Sequence, residues 1–447
     1  MAEHCAYVVK VHQLNKHPNA DLLQVVEFFG NSTMVDMNVH EGDVGIYFPI
    51  DLQLSEEFCT ANNLVRRKDE TGKNVGGYLD PEKRNITAMR LRSSKSEGLY
   101  LPLTCLKYIY GENEIPLNVG DKFDVLDGHE ICCKYIPKRN PARQHGGQNK
   151  VKTVKKNIAP LFLEHVETEQ LAYNMDAFKP GDICEITIKL HGTSSRIGYL
   201  PVLKYKRNWF DKLFHRQGKP YYDYDLITGS RRVVLESATD GGFYTDNSFR
   251  FAMSEKVRGK LFKGETLYGE IVGFQGPNGA PIMGIADNTR LNDKNFVKRY
   301  GKTTIFSYGC SPDGTYDSEV PCCEFYAYRM TFTGEDGHSV EYSPWELRYR
   351  CEQMGIKVVP QAEIFTIPND VDPGEYVKQK AEQYYSGPDV IDARHIREGV
   401  VIRIINRHNF AVYKHKAFEF KCIEGIVKTL AEEPDIEEAQ EILDECN

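Results

Sequence analysis

The stretch EITIKLHGTSSRIGYL, residues 185–200, decides how the second half of the chain is read. Ile186, Ile188 and Leu190 alternate with polar residues, the period of a strand with one buried face, so Lys189 is aimed away from the apolar side. A lysine ending such a strand can lay its methylenes over apolar surface and keep its amine in water. Here Gly-Thr-Ser follows, a sequence able to turn tightly and offer backbone N–H groups to a phosphate. A lysine kept neutral beside other cations is also a competent nucleophile.

Outward from this stretch the pattern mixes strands and helices. TLYGEIVGF (266–274), EFYAYRM (324–330), EGVVIRII (398–405) and FAVYKHK (410–416) read as strands. Glu270 lies between glycines that let a ligand approach the backbone. Glu398 precedes Gly399, and Lys414 and Lys416, two apart, share one strand face. Two helices are marked by their starts. Ser343, Pro344 and Glu346 form a capping-box pattern stopped by Gly355, and Asp372, Pro373 and Glu375 repeat the device. From about residue 158 to 425 the chain is therefore expected to be an α+β domain.

Residues 1–131 read instead as short β-runs broken by Gly-Asp turns, which a small five-stranded Greek-key barrel of the OB type would fit. HPNADLLQV (17–25) also resembles the opening of tRNA-binding OB modules. Residues 132–157 carry Lys and Arg, Pro and Gly, but no acidic residue, and read as a basic linker, either a solvated tether or a strap that tracks phosphates. Residues 426–447 read as an acidic helical tail.

The formal net charge of the 447-residue chain is −8, which argues against nucleic-acid binding by total charge and leaves it to a local basic surface. The amino terminus lacks a basic region followed by an apolar core, and no apolar run approaches the ~20 residues that span a bilayer, so a cytoplasmic protein is expected. Twelve scattered cysteines without a C-x-x-C pair suggest reduced thiols rather than zinc.

Taken in order, these segments resemble the motifs of the covalent nucleotidyltransferase superfamily, the polynucleotide ligases and mRNA capping enzymes. Lys189-Leu190-His191-Gly192 is similar to the nucleophile motif, Ser230-Arg231-Arg232 to an arginine motif and LYGEIVG to a ribose-binding glutamate motif. FYAYRM resembles the aromatic motif that stacks on adenine, EGVVIR the metal-associated glutamate motif, and YKHK the paired-lysine motif. The resemblance covers roughly residues 181–421. His191, where DNA ligases and capping enzymes usually carry Asp, and an OB candidate at the amino end point to the ATP-dependent RNA ligase branch with an amino-terminal OB domain.

That resemblance implies an ATP-grasp-like ligase domain that seals 5′-phosphate and 3′-OH ends of nicked or broken RNA, with an RNA/DNA duplex as a further substrate. Lys189 would take AMP from ATP; His191, Gly192, Arg231, Glu270, Tyr328, Glu398, Lys414 and Lys416 would bind the nucleotide, Glu270 through a ribose hydroxyl and Tyr328 by stacking. Glu398 would reach Mg²⁺ or Mn²⁺ through water. Phe325 is expected in the core, and strand alternation allows only one of Arg231 and Arg232 to face the site. Where DNA ligases place an arginine five residues after the nucleophile this chain has Ser194; Arg196 either substitutes or faces solvent. The segment 201–226 is either a surface insertion or a platform for bases and phosphates. Rival readings are a DNA ligase of unusual architecture and an inactive nucleic-acid-binding module.

Overall fold

A computed structural model describes residues 4–18, 20, 23–50, 52–67, 77, 79–91, 94–135, 158–166, 168–207, 209, 218–239, 244–291 and 293–423. Most of the basic stretch 132–157 and the whole acidic tail 426–447 therefore lie outside the described residues.

The alternation around Lys189 does what it predicts. Cys184, Ile186 and Ile188 of the strand Ile183–Lys189 are almost fully buried, while Thr187 and Lys189 point the other way and are only half-buried. This strand is fourth in a five-stranded sheet, in the order Glu169–Gln170, Ala411–Lys416, Gly399–Ile404, Ile183–Lys189 and Gln361–Thr366. Its apolar face packs with Val400, Ile402 and Ile404 of the neighbouring strand and with Val377 and Ala381 of the helix Pro373–Glu382. Asp372 caps that helix, and Ser343 and Glu346 form the complete capping box of the helix Pro344–Met354.

After Lys189 the chain needs only three residues to cross into a second sheet. Its main path runs Val234–Leu235, Lys219–Gly229, Thr193–Lys206, Glu265–Gly273, Cys323–Thr333 and Ser339–Glu341. Leu347, Cys351 and Met354 of the capped helix pack on it, in a core with Ile271 and Phe325. Phe325 is 1% exposed, as its place in the core requires. In the segment 201–226 the described residues continue the two long strands Thr193–Lys206 and Lys219–Gly229, paired antiparallel.

The amino-terminal third is a β-module. Lys122–Phe123, Ala6–Lys10, Val44–Phe48 and Leu99–Pro102 form one sheet, and Leu14–Lys16, Leu23–Phe28 and Asn31–Asp36 another. Among the described residues these sheets do not close into a ring. The strand Asn31–Asp36 carries no apolar alternation, because two of its three buried positions are Asn31 and Thr33. No helix among the described residues is long and apolar enough to cross a membrane, and the eleven described cysteines are all free.

The module is seated on the rest of the protein. Tyr173 stacks on Tyr7 at 5.2 Å between ring centroids and meets Phe29 edge-on. Lys95 Nζ lies 4.7 Å from the centre of the Phe418 ring. Lys421 Nζ donates to Glu97 Oε1 at 2.5 Å, and both side chains are nearly buried. Lys421 and Phe418 belong to the helical residues 418–423, which directly follow the strand bearing Lys416.

Candidate active site

Strand register gathers the candidate residues before any side chain is considered. Lys189 is opposite Gly399, and Gly399 is opposite Lys416, so the two lysines flank one glycine across three adjacent strands. Thr187 is opposite Val401, which is opposite Lys414, so Lys414 lies one step further along the same face. A Cβ on Gly399 would come within 2.2 Å of the His415 carbonyl, so only glycine allows this close approach.

The centre of the arrangement is Glu398, 2% exposed. Its Oε1 is 2.9 Å from Lys189 Nζ and 3.6 Å from Lys416 Nζ, and its Oε2 is 3.9 Å from His191 Nδ1. Burial alone would raise this carboxyl; Lys189, Lys416 and His191 reverse that and hold it below the usual carboxylate value. Oε2 makes no hydrogen bond although it is buried, which marks it as an acceptor shaped for something more.

The turn after Lys189 is fixed from both sides. The His191 N–H donates to Tyr308 Oη at 2.6 Å and the Gly192 N–H to Glu270 Oε1 at 3.1 Å. Of the Gly-Thr-Ser amides that the sequence suggested as donors to a phosphate, that of Gly192 thus has a protein acceptor, supplied by the second sheet. A Cβ on Gly192 would stand 2.3 Å from the Ile271 carbonyl, so this crossing requires glycine. The His191 ring, 8% exposed, is held edge-on by Phe306 and Phe420, with centroids 4.7 and 4.8 Å away. His415, between the two lysines, points the opposite way and stacks on Tyr385 at 4.7 Å. Burial, with Lys421 and Lys378, lowers it to about 3, so it is neutral.

Glu270 sits opposite Ser194 and Tyr326 in the second sheet. Tyr328 shares the strand face of Tyr326, the partner of Glu270, and stands at an irregularity. Tyr268 pairs with Arg329 but Gly269 with Ala327, so Tyr328 is the extra residue of a β-bulge. Its hydroxyl lies 3.1 Å from Ser194 Oγ, and burial, then Glu270, raises it. Ser194, which stands where DNA ligases carry an arginine, thus anchors the aromatic ring.

Arg196 neither faces solvent nor points to the site. It is 1% exposed, lies over the Phe162 ring, and donates to the carbonyls of Ser230 at 2.9 Å, Phe162 at 2.7 Å and Arg232. The tight bend 230–232 is clamped by those bonds. Because it is a bend and not a strand, alternation does not separate Arg231 from Arg232, and both are half-buried. Arg231 acts electrostatically on Tyr328 and on His165, whose ring centre is 5.0 Å from that of Tyr328. Burial, then Arg329 and Arg231, keep His165 neutral, well below the usual histidine range. Replacing Arg196 with lysine leaves one ammonium to serve three buried carbonyls and is expected to cost roughly 2–4 kcal/mol. A urea midpoint equal to that of the parent protein would contradict the clamp.

Three residues escaped the sequence reading. Tyr308 has no pattern around it, and its role depends on a left-handed backbone at φ 48°. His165 lies outside every motif. Arg250, fully buried, donates to Thr193 Oγ1 at 2.7 Å and to the Ser194 carbonyl, but an arginine in an amphipathic helix reads as exposed.

The RNA ligase family model matches residues 182–422, from the strand of Lys189 through the helix after Lys416. The chain belongs to the RNA ligase family. Its fold is that of Naegleria gruberi RNA ligase: the structure of that enzyme with PPi aligns at a TM-score of 0.53 and 15% identity, covering 96% of this chain and 99% of that one. A lysine-to-methionine variant of the same enzyme with AMP and Mn gives 0.52 and 14%, covering 93% and 97%. A lysine-to-alanine variant with ATP and Mn gives 0.53 and 15%, covering 93% and 98%. No curated protein sequence matches this RNA ligase family member.

Proposed function

We propose that this protein is an ATP-dependent RNA ligase working through a lysyl-AMP on Lys189. The observation that carries the proposal is the Lys189, Glu398 and Lys416 cluster, a lysine held 2.9 Å from a buried carboxylate that a second lysine also approaches. The solved relatives hold AMP, ATP, PPi and Mn in the same fold.

In the first step the Lys189 ammonium gives its proton to solvent. The neutral amine attacks the α-phosphorus of ATP; an N–P bond forms, the bond to the bridging oxygen breaks, and pyrophosphate leaves. Lys416 and Lys414 offset the charge that grows on the α-phosphate oxygens. Glu270, bonded to the Gly192 N–H, suits a ribose hydroxyl, and Tyr328, seated by Ser194, offers its ring to the base. In the second step a 5′-phosphate oxygen attacks the AMP phosphorus and frees Lys189; in the third the 3′-OH attacks the 5′-phosphorus and AMP departs.

Mg²⁺ or Mn²⁺ suits Glu398, whose Oε2 is a buried acceptor without a hydrogen bond. Among the described residues no group of three His, Cys, Asp or Glu could hold a metal alone. One carboxylate with substrate oxygens and water is the ligand set Mg²⁺ commonly takes. When bound, the ion supplies positive charge to the phosphates.

We assign the RNA-holding role to the amino-terminal β-module as an OB-like unit, with the linker 132–157 as a basic strap, the nick in RNA as substrate and the cytoplasm as location. Supporting this, the matched RNA ligase structures align over 93–96% of the chain, so the module is part of the shared fold. Incubation with ATP labelled at the α-phosphate, followed by a denaturing gel, is expected to give a covalent, acid-labile AMP band. A 5′-phosphate nick in RNA should then discharge it. No band with either metal would refute the assignment.

A further inference from the structure

The long hairpin formed by Thr193–Lys206 and Lys219–Gly229 begins at the active site and leads away from it. Ser194, at its base, touches Tyr328. By alternation the same face then carries Arg196, Gly198, Leu200 and Val202, the last two buried under Ile158, Ala159 and Phe162. Past that cover the face reopens. Lys206 is directly opposite Lys219, and Lys204 is opposite Tyr221.

This outer end is unusual in its charge. Like charges directly opposite across two strands repel, which weakens the hairpin. Lys206 and Lys219 are both exposed, and among the described residues neither has an acidic partner. The nearest carboxylates on the face, Asp223 and Asp225, are taken by Lys204 at 3.5 and 3.0 Å, so they do not answer the outer pair. Beside it Tyr221 is 43% exposed. Two exposed lysines facing each other, without an acidic partner among the described residues, and an open aromatic ring make the pattern that grips a nucleic-acid strand, ammonium to phosphate and ring to base or sugar.

Resting on the RNA ligase reading above, we propose that the outer hairpin, through Lys206, Lys219 and Tyr221, holds the RNA backbone at a distance from the break. Lys206 lies twelve residues beyond Ser194, about 40 Å of strand at ~3.3 Å per residue. The contact therefore falls a dozen base steps or more from the joint, since A-form RNA rises less per step than the ~3.4 Å of B-DNA. RNA with short flanks cannot reach it. The hairpin measures the length of the substrate and leaves the chemistry alone.

The test uses the full chain and two nicked RNA duplexes, one with about six and one with about twenty-four base pairs flanking each side of the nick. The Lys206→Ala/Lys219→Ala double variant is expected to raise KM five- to tenfold on the long duplex, with kcat unchanged, and to leave the short duplex unaffected. Its sealing of the long duplex should also depend less on salt, with the log–log slope smaller by about 1.5–2. Lys206→Arg/Lys219→Arg, which keeps the charge, should behave as the parent. AMP labelling of Lys189 should be the same in all three. An unchanged KM on the long duplex, or an equal loss on both, overturns the proposal. Failure of the parent protein to take label from ATP or to seal either duplex would instead defeat the underlying RNA ligase reading.

Discussion

Lys189→Ala is expected to yield no covalent AMP at all, at any ATP concentration, in a protein that remains folded by circular dichroism. The side chain contributes little to the core, since it stands on the open face of its strand, so its removal takes away the acceptor of AMP and not the scaffold. Lys189→Arg should fail equally. A guanidinium could keep the ion pair with Glu398, but it stays protonated and offers no lone pair to phosphorus. The pair of variants thus separates a nucleophile from a merely structural cation. Retained label in either variant would rule out Lys189 as the point of attachment.

Lys416→Ala is expected to slow AMP transfer to Lys189 by roughly 10²–10³, the usual loss on removing one preorganised charge from a developing oxyanion, about 3 kcal/mol. Lys414→Ala should fall in the same direction but less steeply, because Lys414 is one step further from Gly399 along the face. Lys416 also shares Glu398 with Lys189 at 3.6 Å, so its loss leaves that buried carboxylate with fewer counter-charges. Single-turnover labelling with a time course reads the rate directly. Equal, unslowed rates in both variants would make the paired lysines a solvated strand and nothing more.

The parts of the site that were legible in the sequence share one property: they lie on regular strands. Alternation alone aimed Lys189 away from Ile186 and Ile188 and put Lys414 and Lys416 on one face; together with the resemblance that chose Tyr328, it left Phe325 to the core. The parts that were hidden depend on departures from regularity or on distant packing. Alternation sets Tyr328 on the face of Tyr326 and Glu270, but the bulge there puts Arg329 opposite Tyr268, a shift that period-two counting cannot see. Arg231 sits on a bend, so the alternation argument for choosing between it and Arg232 had no strand to act on. Arg196 and Arg250 are buried arginines satisfied by backbone carbonyls from elsewhere in the chain, and nothing local distinguishes them from surface residues. In the amino-terminal module, short turns and apolar runs exposed most strands. The strand Asn31–Asp36 stayed hidden because polar side chains point inward, and whether strands close into a ring is a long-range property that no local pattern encodes.

The contact between Glu97 and Lys421 bears on how this enzyme could be shortened. The helix at 418–423 supplies Phe420 to the ring of His191, and its outer side is covered by Lys95, Glu97 and their strands. A catalytic core cut free at residue 158 would open Lys421 to water without its carboxylate partner and strip Phe418 of its cover. The lysine is then served by water, and the loss falls on the apolar surface newly exposed, about 1.5–3 kcal/mol for a whole buried side chain. The minimal unit for engineering is therefore not the stretch that carries the motifs. It is that stretch together with the patch of the first module that roofs it, and a graft that carried the motifs onto another nucleic-acid-binding domain would need a new acidic residue at the position Glu97 now fills.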